Sequence, residues 1–356
     1  MQNLKFLKEI TDAAGIPGFE REVHAVLTQY LDGVAEVERD NLGSLIFKKV
    51  GQPDGPKIML PGHMDEIGFM VNLVTAEGYL RFIPLGGWWD QVLLGQKVKI
   101  RSKKGWSTGI IGSKPPHILK AEDRSKVVKK DSMFIDIGAR DKEHVEEELG
   151  IRPGAPIFPV SEFEVLADER MLLAKAWDDR AGCAAFAQTL RNLVDIDHPN
   201  IVYGVGTVQE EVGLRGAQTS GQHIQPDVCI ALDVGIAGDM PGVTAEESPL
   251  KMGDGPVMYL ADRSVIAHQG LRELVIETAS KNSIPLQFAT LLGGGTDAGA
   301  VHLVGAGVPS LTLGVPVRYV HSHHGIMHLD DYEYLVKLLT AVVQRLDWDA
   351  VKELHN

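Results

Sequence analysis

The sequence lacks most of what a membrane-bound or secreted protein needs. No apolar run reaches the roughly 18 residues of a membrane-spanning helix, and the charged, amphipathic N-terminus has no signal-peptide core or cleavage site. The only cysteines, Cys183 and Cys229, lie in apolar surroundings, which favours buried thiols in a reducing compartment over a disulfide. We therefore expect a cytoplasmic protein with no membrane partner.

Positive charge and several catalytic motifs are also scarce. The 35 Lys and Arg residues against 48 Asp and Glu residues give a net charge of −13, which argues against a nucleic-acid partner. There is no Gly-x-Ser-x-Gly motif, and the glycine run Gly293–Gly295 lacks the ending of a phosphate-binding loop. Covalent catalysis and nucleotide binding are both disfavoured, and we interpret Gly293–Gly295 as a turn or a wall of a peptide-binding cleft.

The order of local patterns indicates an α/β fold with an insertion. A chain of 356 residues suits two domains, or one large domain that carries an inserted one. Helical and strand patterns alternate near both ends, whereas short β-like segments separated by Gly, Pro and charged turns fill the middle. We expect a catalytic domain over residues 1–66 plus 166–356 and an inserted β-rich domain over residues 67–165.

Two adjacent carboxylates, Glu210 and Glu211, follow the apolar strand pattern 201–207. The carboxyl ends of strands are where an open α/β sheet usually builds its ligand site. Burying two acids together is costly unless cations compensate them. One glutamate could bind a metal while the other takes a proton from a metal-bound water. A solvated acidic turn is the alternative.

Further candidate ligands also follow strand patterns. His63 and Asp65 come after residues 57–62, and residues two apart in an extended segment face the same side, so Asp65 can support the His63 ring. Asp178 and Asp179 open a helix, where aspartate is also a common cap. Asp179 could cap the helix while Asp178 binds a metal. Asp233 ends the strand pattern 228–232.

Four histidines fall within eight residues near the C-terminus: His321, His323, His324 and His328. A histidine-rich surface loop is the alternative to a metal site. Together with the acids, they form a mixed nitrogen and oxygen ligand set, which favours zinc, cobalt or manganese over calcium. If two metals bind, a shared carboxylate would hold them roughly 3.5–4 Å apart. Asp178 is the best candidate for that role.

Five motifs, in this order along nearly the whole chain, resemble those of the M42 aminopeptidases, a family that includes glutamyl aminopeptidases and the tetrahedral TET peptidases. They are 63–68 (His-Met-Asp-Glu-Ile-Gly), 176–180 (Ala-Trp-Asp-Asp-Arg), 209–217 (Gln-Glu-Glu-Val-Gly-Leu-Arg-Gly-Ala), 294–299 (Gly-Gly-Thr-Asp-Ala-Gly) and 318–322 (Arg-Tyr-Val-His-Ser). One departure concerns the last motif, since the TET branch commonly continues His-Ser with Pro, whereas this chain continues with His323.

The resemblance implies a zinc-peptidase-like fold, a mixed β-sheet sandwiched by helices, with two divalent metal ions, zinc or cobalt, in each subunit. It implies a role for each of seven residues: His63 and Asp233 hold one metal, Glu211 and His321 hold the other, Asp178 bridges them, Glu210 is the general base and Asp65 supports the site. The inserted domain then resembles the dimerisation domain of the family.

We therefore expect an aminopeptidase that releases N-terminal residues from short peptides, with Glu210 activating a metal-bridged water. A deacylase or carboxypeptidase with the same metal site is one alternative, and a glycoside hydrolase that uses Glu210 with a second acid is another. Trp88, Trp89 and Trp106 are interpreted as exposed aromatic residues of the inserted domain, although the pair Trp88–Trp89 could equally belong to the core of that domain. With the resemblance, they predict a homo-oligomer built from dimers, up to a tetrahedral dodecamer.

Overall fold

The computed structural model describes residues 2–354, with side chains from residue 4 onward, so residues 1, 355 and 356 of the expected catalytic domain lie outside the described residues. Its α-helices are α1 (Gln2–Asp12), α2 (Arg21–Tyr30), α3 (Trp177–Asn192), α4 (Arg215–Ile224), α5 (Gln269–Lys281), α6 (Ala298–Val301), α7 (Leu329–Arg345) and α8 (Trp348–Glu353). None of these helices is long and apolar enough to cross a membrane.

An eleven-stranded mixed sheet forms the larger part of the structure. Its strands are β1 (Glu36–Arg39), β2 (Leu45–Val50), β3 (Lys57–His63), β10 (Glu164–Val165), β11 (Met171–Ala174), β12 (Ile201–Thr207), β13 (Val228–Ile236), β14 (Val257–Asp262), β15 (Gln287–Leu291), β16 (Ser310–Arg318) and β17 (Gly325–His328). Four neighbouring strands, β12, β3, β13 and β16, run parallel, so their carboxyl ends meet at one edge of the sheet.

The remaining strands close into a six-stranded antiparallel barrel. They are β4 (Gly68–Val74), β5 (Leu80–Leu85), β6 (Lys97–Ser102), β7 (Gly105–Gly112), β8 (Phe134–Asp136) and β9 (Pro156–Pro159). The predicted α/β fold with a separate β-rich part is thus confirmed. The last residues assigned to the insert, Glu164–Val165, pair with β11 of the large sheet and lie outside the barrel.

Alternate side chains of β3 point into two different apolar clusters. Ile58 and Leu60 pack with residues of α2, α3 and α7, whereas Met59 packs with Ala217 of α4 and Val301 of α6. A strand places successive side chains on opposite faces, so a strand that is apolar at every position is buried on both sides. This is why β3 reads as a continuous apolar run in the sequence.

The barrel has an apolar core of its own, which includes Phe69, Val98, Ile135 and Ile157. Trp88 belongs to this core and is only 5% exposed, so for this residue the core alternative is correct and the surface interpretation is wrong. The indole of Trp88 stacks on Phe69 and donates a hydrogen bond to the Gly68 carbonyl, which satisfies its one donor inside the core. Trp89 and Trp106, by contrast, are exposed as expected.

Some elements carried no clear pattern in the sequence. Helix α4 contains glycines and polar residues and buries only one side, and β15 alternates between half-buried and exposed positions at the margin of the sheet. The buried positions of α4 recur at helical spacing but are mostly small or polar residues, and β15 has no fully buried position, so neither element shows a continuous apolar pattern. Both are held by tertiary contacts, α4 against α6 and β15 by pairing with β14.

The guanidinium of Arg180 ties α1, the segment after β3 and α3 together. Fully buried, it donates hydrogen bonds of 2.6–3.0 Å to four main-chain carbonyls, those of Ile10, Ala13, Gly15 and Met64. Its charge is offset by Glu66, which also pairs with buried Lys175 at 2.5 Å. A buried charge is tolerated only with such complete pairing.

Replacing Arg180 with Met should destabilise the protein by about 3 kcal/mol or more, because four carbonyls lose a hydrogen bond from the guanidinium and Glu66 loses one of its two cationic partners. Urea unfolding followed by circular dichroism measures this change. Arg272→Met is the matched control, because Arg272 pairs only with its neighbour Glu273 at the surface, and its effect should stay within about 0.5 kcal/mol. Equal stability of the two variants would contradict this role of Arg180.

Candidate metal centre

Six candidate ligands meet at the carboxyl edge of the parallel strands. His63 is the last residue of β3, and Glu210 and Glu211 lie in the turn after β12, which pairs with β3 so that Thr207 lies beside His63. Asp233 lies within β13, which continues to Ile236, so its expected position at the strand end was wrong. His321 follows β16, and Asp178 follows β11 at the start of α3. Ligand sites usually form at such an edge.

The ligand atoms form two groups of three: His63, Glu210 and Asp233 in one, and Asp178, Glu211 and His321 in the other. Within each group, all ligand atoms lie within 4.8 Å of one another. Glu210 therefore stands as close to the first group as a ligand would, with its Oε2 atom 3.9 Å from His63 Nε2. This arrangement allows Glu210 to bind a cation or to exchange a proton beside it.

The two carboxylate oxygens of Asp178 face different groups. Its Oδ1 atom lies 3.0 Å from His63 Nε2, and its Oδ2 atom lies 3.3 Å from His321 Nε2. Burial opposes ionisation, but hydrogen bonds from His321 and His63 lower the pKa of Asp178 below its ordinary value. Asp178 thus presents a charged carboxylate between the two histidines.

The neighbouring Asp179 has a different task. Its Oδ1 atom accepts a hydrogen bond from the Gly182 main-chain N–H at 2.9 Å, the geometry of a helix cap, and its Oδ2 atom accepts one from the His63 N–H at 3.0 Å. The peptide bond between Asp178 and Asp179 is cis. Gly62 permits the start of α3 to lie this close to the end of β3, since a Cβ atom on residue 62 would lie 2.9 Å from the Cys183 nitrogen. Asp179 therefore fastens the start of α3 to the end of β3.

Asp65 supports the site by a different route from the expected one. The Nδ1 atom of His63 makes its 2.8 Å hydrogen bond with the main-chain carbonyl of Asp65, while the Asp65 carboxylate stays 3.9 Å from that atom. Because the next residues turn away from the strand, the carboxylate instead accepts the N–H groups of Glu210 at 3.0 Å and Glu211 at 3.1 Å. Asp65 orients His63 with its backbone and the glutamate pair with its side chain.

The site concentrates negative charge. Burial raises the pKa of Glu210 well above its ordinary value, and burial together with neighbouring carboxylates raises the pKa of Glu211 and that of Asp233 to about 8. The Glu211 Oε1 atom is buried without a hydrogen-bond partner among the described residues. Bound cations would offset this charge and use that oxygen. Carboxylates with imidazoles are a suitable donor set for zinc, cobalt or manganese.

Only one of the four clustered histidines reaches this site. His323 packs against Trp88, His324 bonds through Nδ1 to the Ser161 hydroxyl at 2.8 Å, and His328 caps α7 by accepting the Asp330 N–H. His321 Nε2 lies 3.5 Å from Glu211 Oε1 and 3.3 Å from Asp178 Oδ2. The structure therefore places at the site the histidine that the resemblance indicated and gives the other three different contacts.

Asp297, at the end of the glycine motif, is a buried neighbour of the site that the sequence did not single out. Its Oδ2 atom accepts the Thr207 hydroxyl at 2.5 Å, and its Oδ1 atom has no partner among the described residues. Burial raises the pKa of Asp297 to about 6. Asp297 is part of the motif 294–299, but the glycines of that motif predict a loop and do not indicate that its aspartate is buried. Asp297 joins that loop to the end of β12.

A cavity of about 970 Å³ opens beside the ligands. Its further lining is largely aliphatic, and Gly293–Gly295 forms part of the wall, as the sequence suggested. Arg263 is the one arginine or lysine in this lining, and its exposed side chain has no hydrogen bond or ion pair to the described residues. The cavity thus joins two candidate cation sites to apolar walls and one free guanidinium.

The chain matches the family model described as M42 glutamyl aminopeptidase over residues 43–338. It is 41% identical to the putative aminopeptidase FrvX of Escherichia coli, over 98% of this chain and 97% of that protein. It is 34% identical to the glutamyl aminopeptidase of Lactococcus lactis, over 98% of both chains, and to the lysyl aminopeptidase of Pyrococcus furiosus, over 97% of this chain and 98% of that one.

Solved structures agree with these matches. A TET aminopeptidase from a marine-sediment archaeon of the Thaumarchaeota shares 47% identity and superposes with a TM-score of 0.97 over 99% of both chains. The TET1 peptidase of Pyrococcus horikoshii shares 34% identity and superposes with a TM-score of 0.86, over 97% of this chain and 100% of that one. That peptidase is described as able to assemble into a tetrahedron or a large octahedral shell. A Thermotoga maritima protein described as an endoglucanase shares 26% identity and superposes with a TM-score of 0.78, over 98% of this chain and 99% of that one. The chain belongs to the M42 family of aminopeptidases.

Proposed function

We propose that the protein is a dinuclear metal-dependent aminopeptidase that removes N-terminal residues from short peptides. His63 and Asp233 would hold one divalent ion, Glu211 and His321 the other, and Asp178 would contact both. The observation that carries this proposal is the geometry of Asp178, whose two oxygens face the two histidines. Zinc and cobalt both suit the donors.

Two such ions would polarise the scissile carbonyl and make a water molecule more acidic. The chain's own contribution is proton transfer by Glu210, which stands beside His63 and opens onto the cavity. As a carboxylate it accepts the proton of the attacking water, and it then donates that proton to the leaving amine. The hydrogen bond from the Glu210 N–H to the Asp65 carboxylate fixes the segment that carries this side chain.

The preferred N-terminal residue follows from the charge of the cavity. Relatives of equal similarity are named glutamyl and lysyl aminopeptidases. Beyond the proposed ligands and Glu210, the lining contains no carboxylate, while the Arg263 guanidinium is free and Ile236, Met240 and Leu291 are apolar. A glutamate side chain matches this lining, because its methylene groups can pack on the aliphatic wall and its carboxylate can bind the guanidinium. We therefore propose a preference for acidic over basic residues.

Other reactions could use the same groups. A deacylase or carboxypeptidase would use the same two ion sites, but its substrates lack a free N-terminal amine at the scissile bond. The relative described as an endoglucanase raises the alternative of glycoside hydrolysis by Glu210 and a second acid. Paired-carboxylate glycosidases need no transition metal. Loss of activity after chelation, restored by zinc or cobalt, therefore favours the peptidase.

The proposal extends to architecture and assembly. Helices sandwich the mixed sheet, and residues 67–165 act as a dimerisation domain in a cytoplasmic homo-oligomer. The barrel exposes several large apolar side chains that an interface would cover: Leu73, Ile83, Ile110 and Ile118. A closed assembly of dimers, such as a tetrahedral dodecamer, would admit short peptides and exclude folded proteins.

Glu210→Gln should lower kcat for an aminoacyl-p-nitroanilide by about 10²–10⁴-fold, because the amide cannot accept a proton. Metal analysis should still find two ions per subunit, since Glu210 is proposed as a base and not as a ligand. The control is Glu246→Gln at an exposed glutamate, which should leave both values unchanged. Near-wild-type turnover in Glu210→Gln would show that another group is the base.

Arg263→Gln should lower kcat/KM for glutamyl-p-nitroanilide by about tenfold or more, because a charge-assisted hydrogen bond is lost. The value for leucyl-p-nitroanilide should change by less than about twofold. Arg215→Gln is the control, because Arg215 follows the Glu210–Glu211 turn yet does not line the cavity. An unchanged ratio of glutamyl to leucyl activity would reject the specificity while leaving the peptidase assignment intact.

Light scattering on the active protein should give at least twice the chain mass of 38.8 kDa, because the exposed apolar residues of the barrel favour association. A twelvefold mass would show the dodecamer, and a twofold mass would limit the assembly to the dimer. An active monomer would contradict the role of the barrel in dimerisation.

A further inference from the structure

A loop of the barrel touches the second group of ligands. The carbonyl of Gly87 lies 2.8 Å from His321 Nδ1. A carbonyl can only accept, so Nδ1 carries a proton and Nε2 is the nitrogen that faces Asp178 and Glu211. In the neutral ring, the lone pair available to an ion would therefore be that of Nε2. This hydrogen bond fixes both the tautomer and the orientation of the His321 ring.

The loop approaches so closely that glycine is required. A Cβ atom on Gly87 would lie 2.9 Å from His321 Nδ1, and a Cβ atom on Gly86 would lie 3.0 Å from Glu211 Oε2. At 2.9 Å the contact on Gly87 is closer than real Cβ atoms come without displacing their neighbours, and at 3.0 Å the contact on Gly86 is tighter than most real Cβ contacts, so the carboxylate would have to shift. Gly86 and Gly87 therefore form a wall against both His321 and Glu211.

Trp88 anchors this loop to the barrel and to the large domain at once. On the barrel side its ring stacks on Phe69, with centroids 4.7 Å apart and planes 20° apart, and its N–H donates to the Gly68 carbonyl at 3.0 Å. On the opposite side it packs against His323, with ring centroids 4.9 Å apart. His323 lies two residues beyond His321, so this contact joins the barrel loop to the segment that carries the ligand.

His323 is used here as a packing residue. It is 1% exposed, and neither ring nitrogen has a hydrogen-bond partner among the described residues. Burying a polar ring without partners has a cost, which contact with a large aromatic surface offsets only in part. The contact of His323 with Trp88 is therefore the interaction that we assign to this side chain.

We propose that Gly86, Gly87, Trp88 and His323 are positioning residues for the ion held by Glu211 and His321. This inference rests on the proposed dinuclear function, and it assigns the inserted barrel a second task besides association. The barrel loop completes the metal centre of its own chain, because it supplies the acceptor that orients one ligand and the wall that confines the other.

The test is the binding of cobalt to metal-free protein, followed by calorimetry and by visible absorption. The wild type should bind two ions. Gly87→Ala should weaken one binding step by about tenfold or more, because its methyl group displaces the His321 ring, and should leave the other step within about twofold. The thermal unfolding temperature of the metal-free variant should stay within about 2 °C of the wild type, since the added methyl group touches only the ring.

Gly112→Ala is the matched control, because Gly112 lies in the same barrel and a Cβ there would meet only the Phe134 ring, at 3.3 Å. It should bind both ions as the wild type does. Trp88→Phe keeps an aromatic ring for stacking but lacks the N–H donor, so it should weaken the same step less than Trp88→Ala does. If Trp88→Ala does not fold, Gly87→Ala decides the question alone.

The outcomes separate this inference from the proposed function. A wild type that binds fewer than two ions would refute the dinuclear function itself. A wild type that binds two ions, with wild-type affinities retained in Gly87→Ala, would refute the positioning role and leave the dinuclear function standing. Equal weakening of both steps in Gly87→Ala would also refute the role, because it would indicate a general disturbance.

Discussion

The structure depends on gathering several carboxylates where the four parallel strands of its mixed sheet end. Three of these acids are held by specific donors: Asp178 by His63 and His321, Asp179 by two main-chain N–H groups, and Asp65 by those of Glu210 and Glu211. The Glu211 Oε1 atom, by contrast, has no hydrogen-bond partner among the described residues. Repulsion among buried carboxylates is tolerable only if hydrogen-bond donors and cations offset their negative charge. The local folds of the β3 end, the β12 turn and the α3 start all follow from this requirement.

Much of this could be predicted from sequence because the signals are local. His63, Glu210 and Glu211 directly follow apolar strand patterns, and parallel strands bring their carboxyl ends together whatever the details of packing. The local pattern did not distinguish the four histidines, and only the family resemblance pointed to His321. The contacts that orient it come from Gly87 and Trp88, more than 230 residues earlier in the chain. The hydrogen-bond partners of the Asp65 carboxylate could not be predicted either, because they depend on where the chain turns after β3.

The position of the insert in the chain explains why its loop can reach the site. Strand β4 begins three residues after Asp65, and the chain returns through β9 to β11 shortly before Asp178. The segment that leads into the barrel therefore begins beside His63 and Asp65, and the segment that leads out of it ends beside Asp178. An insertion here places barrel loops within reach of the candidate metal centre, whereas an insertion at the opposite edge of the sheet would keep them away.

The acceptors of Arg180 carry a consequence for the N-terminal helix. This helix supplies no candidate ligand, yet the carbonyls of Ile10 and Ala13, at its end, take two of the hydrogen bonds of a guanidinium that also holds Met64, the residue between His63 and Asp65. The end of α1 is thus tied by hydrogen bonds to the segment that carries His63 and Asp65. A change in α1 that shifts its register would therefore disturb the candidate metal centre, although none of the six candidate ligands lies in that helix.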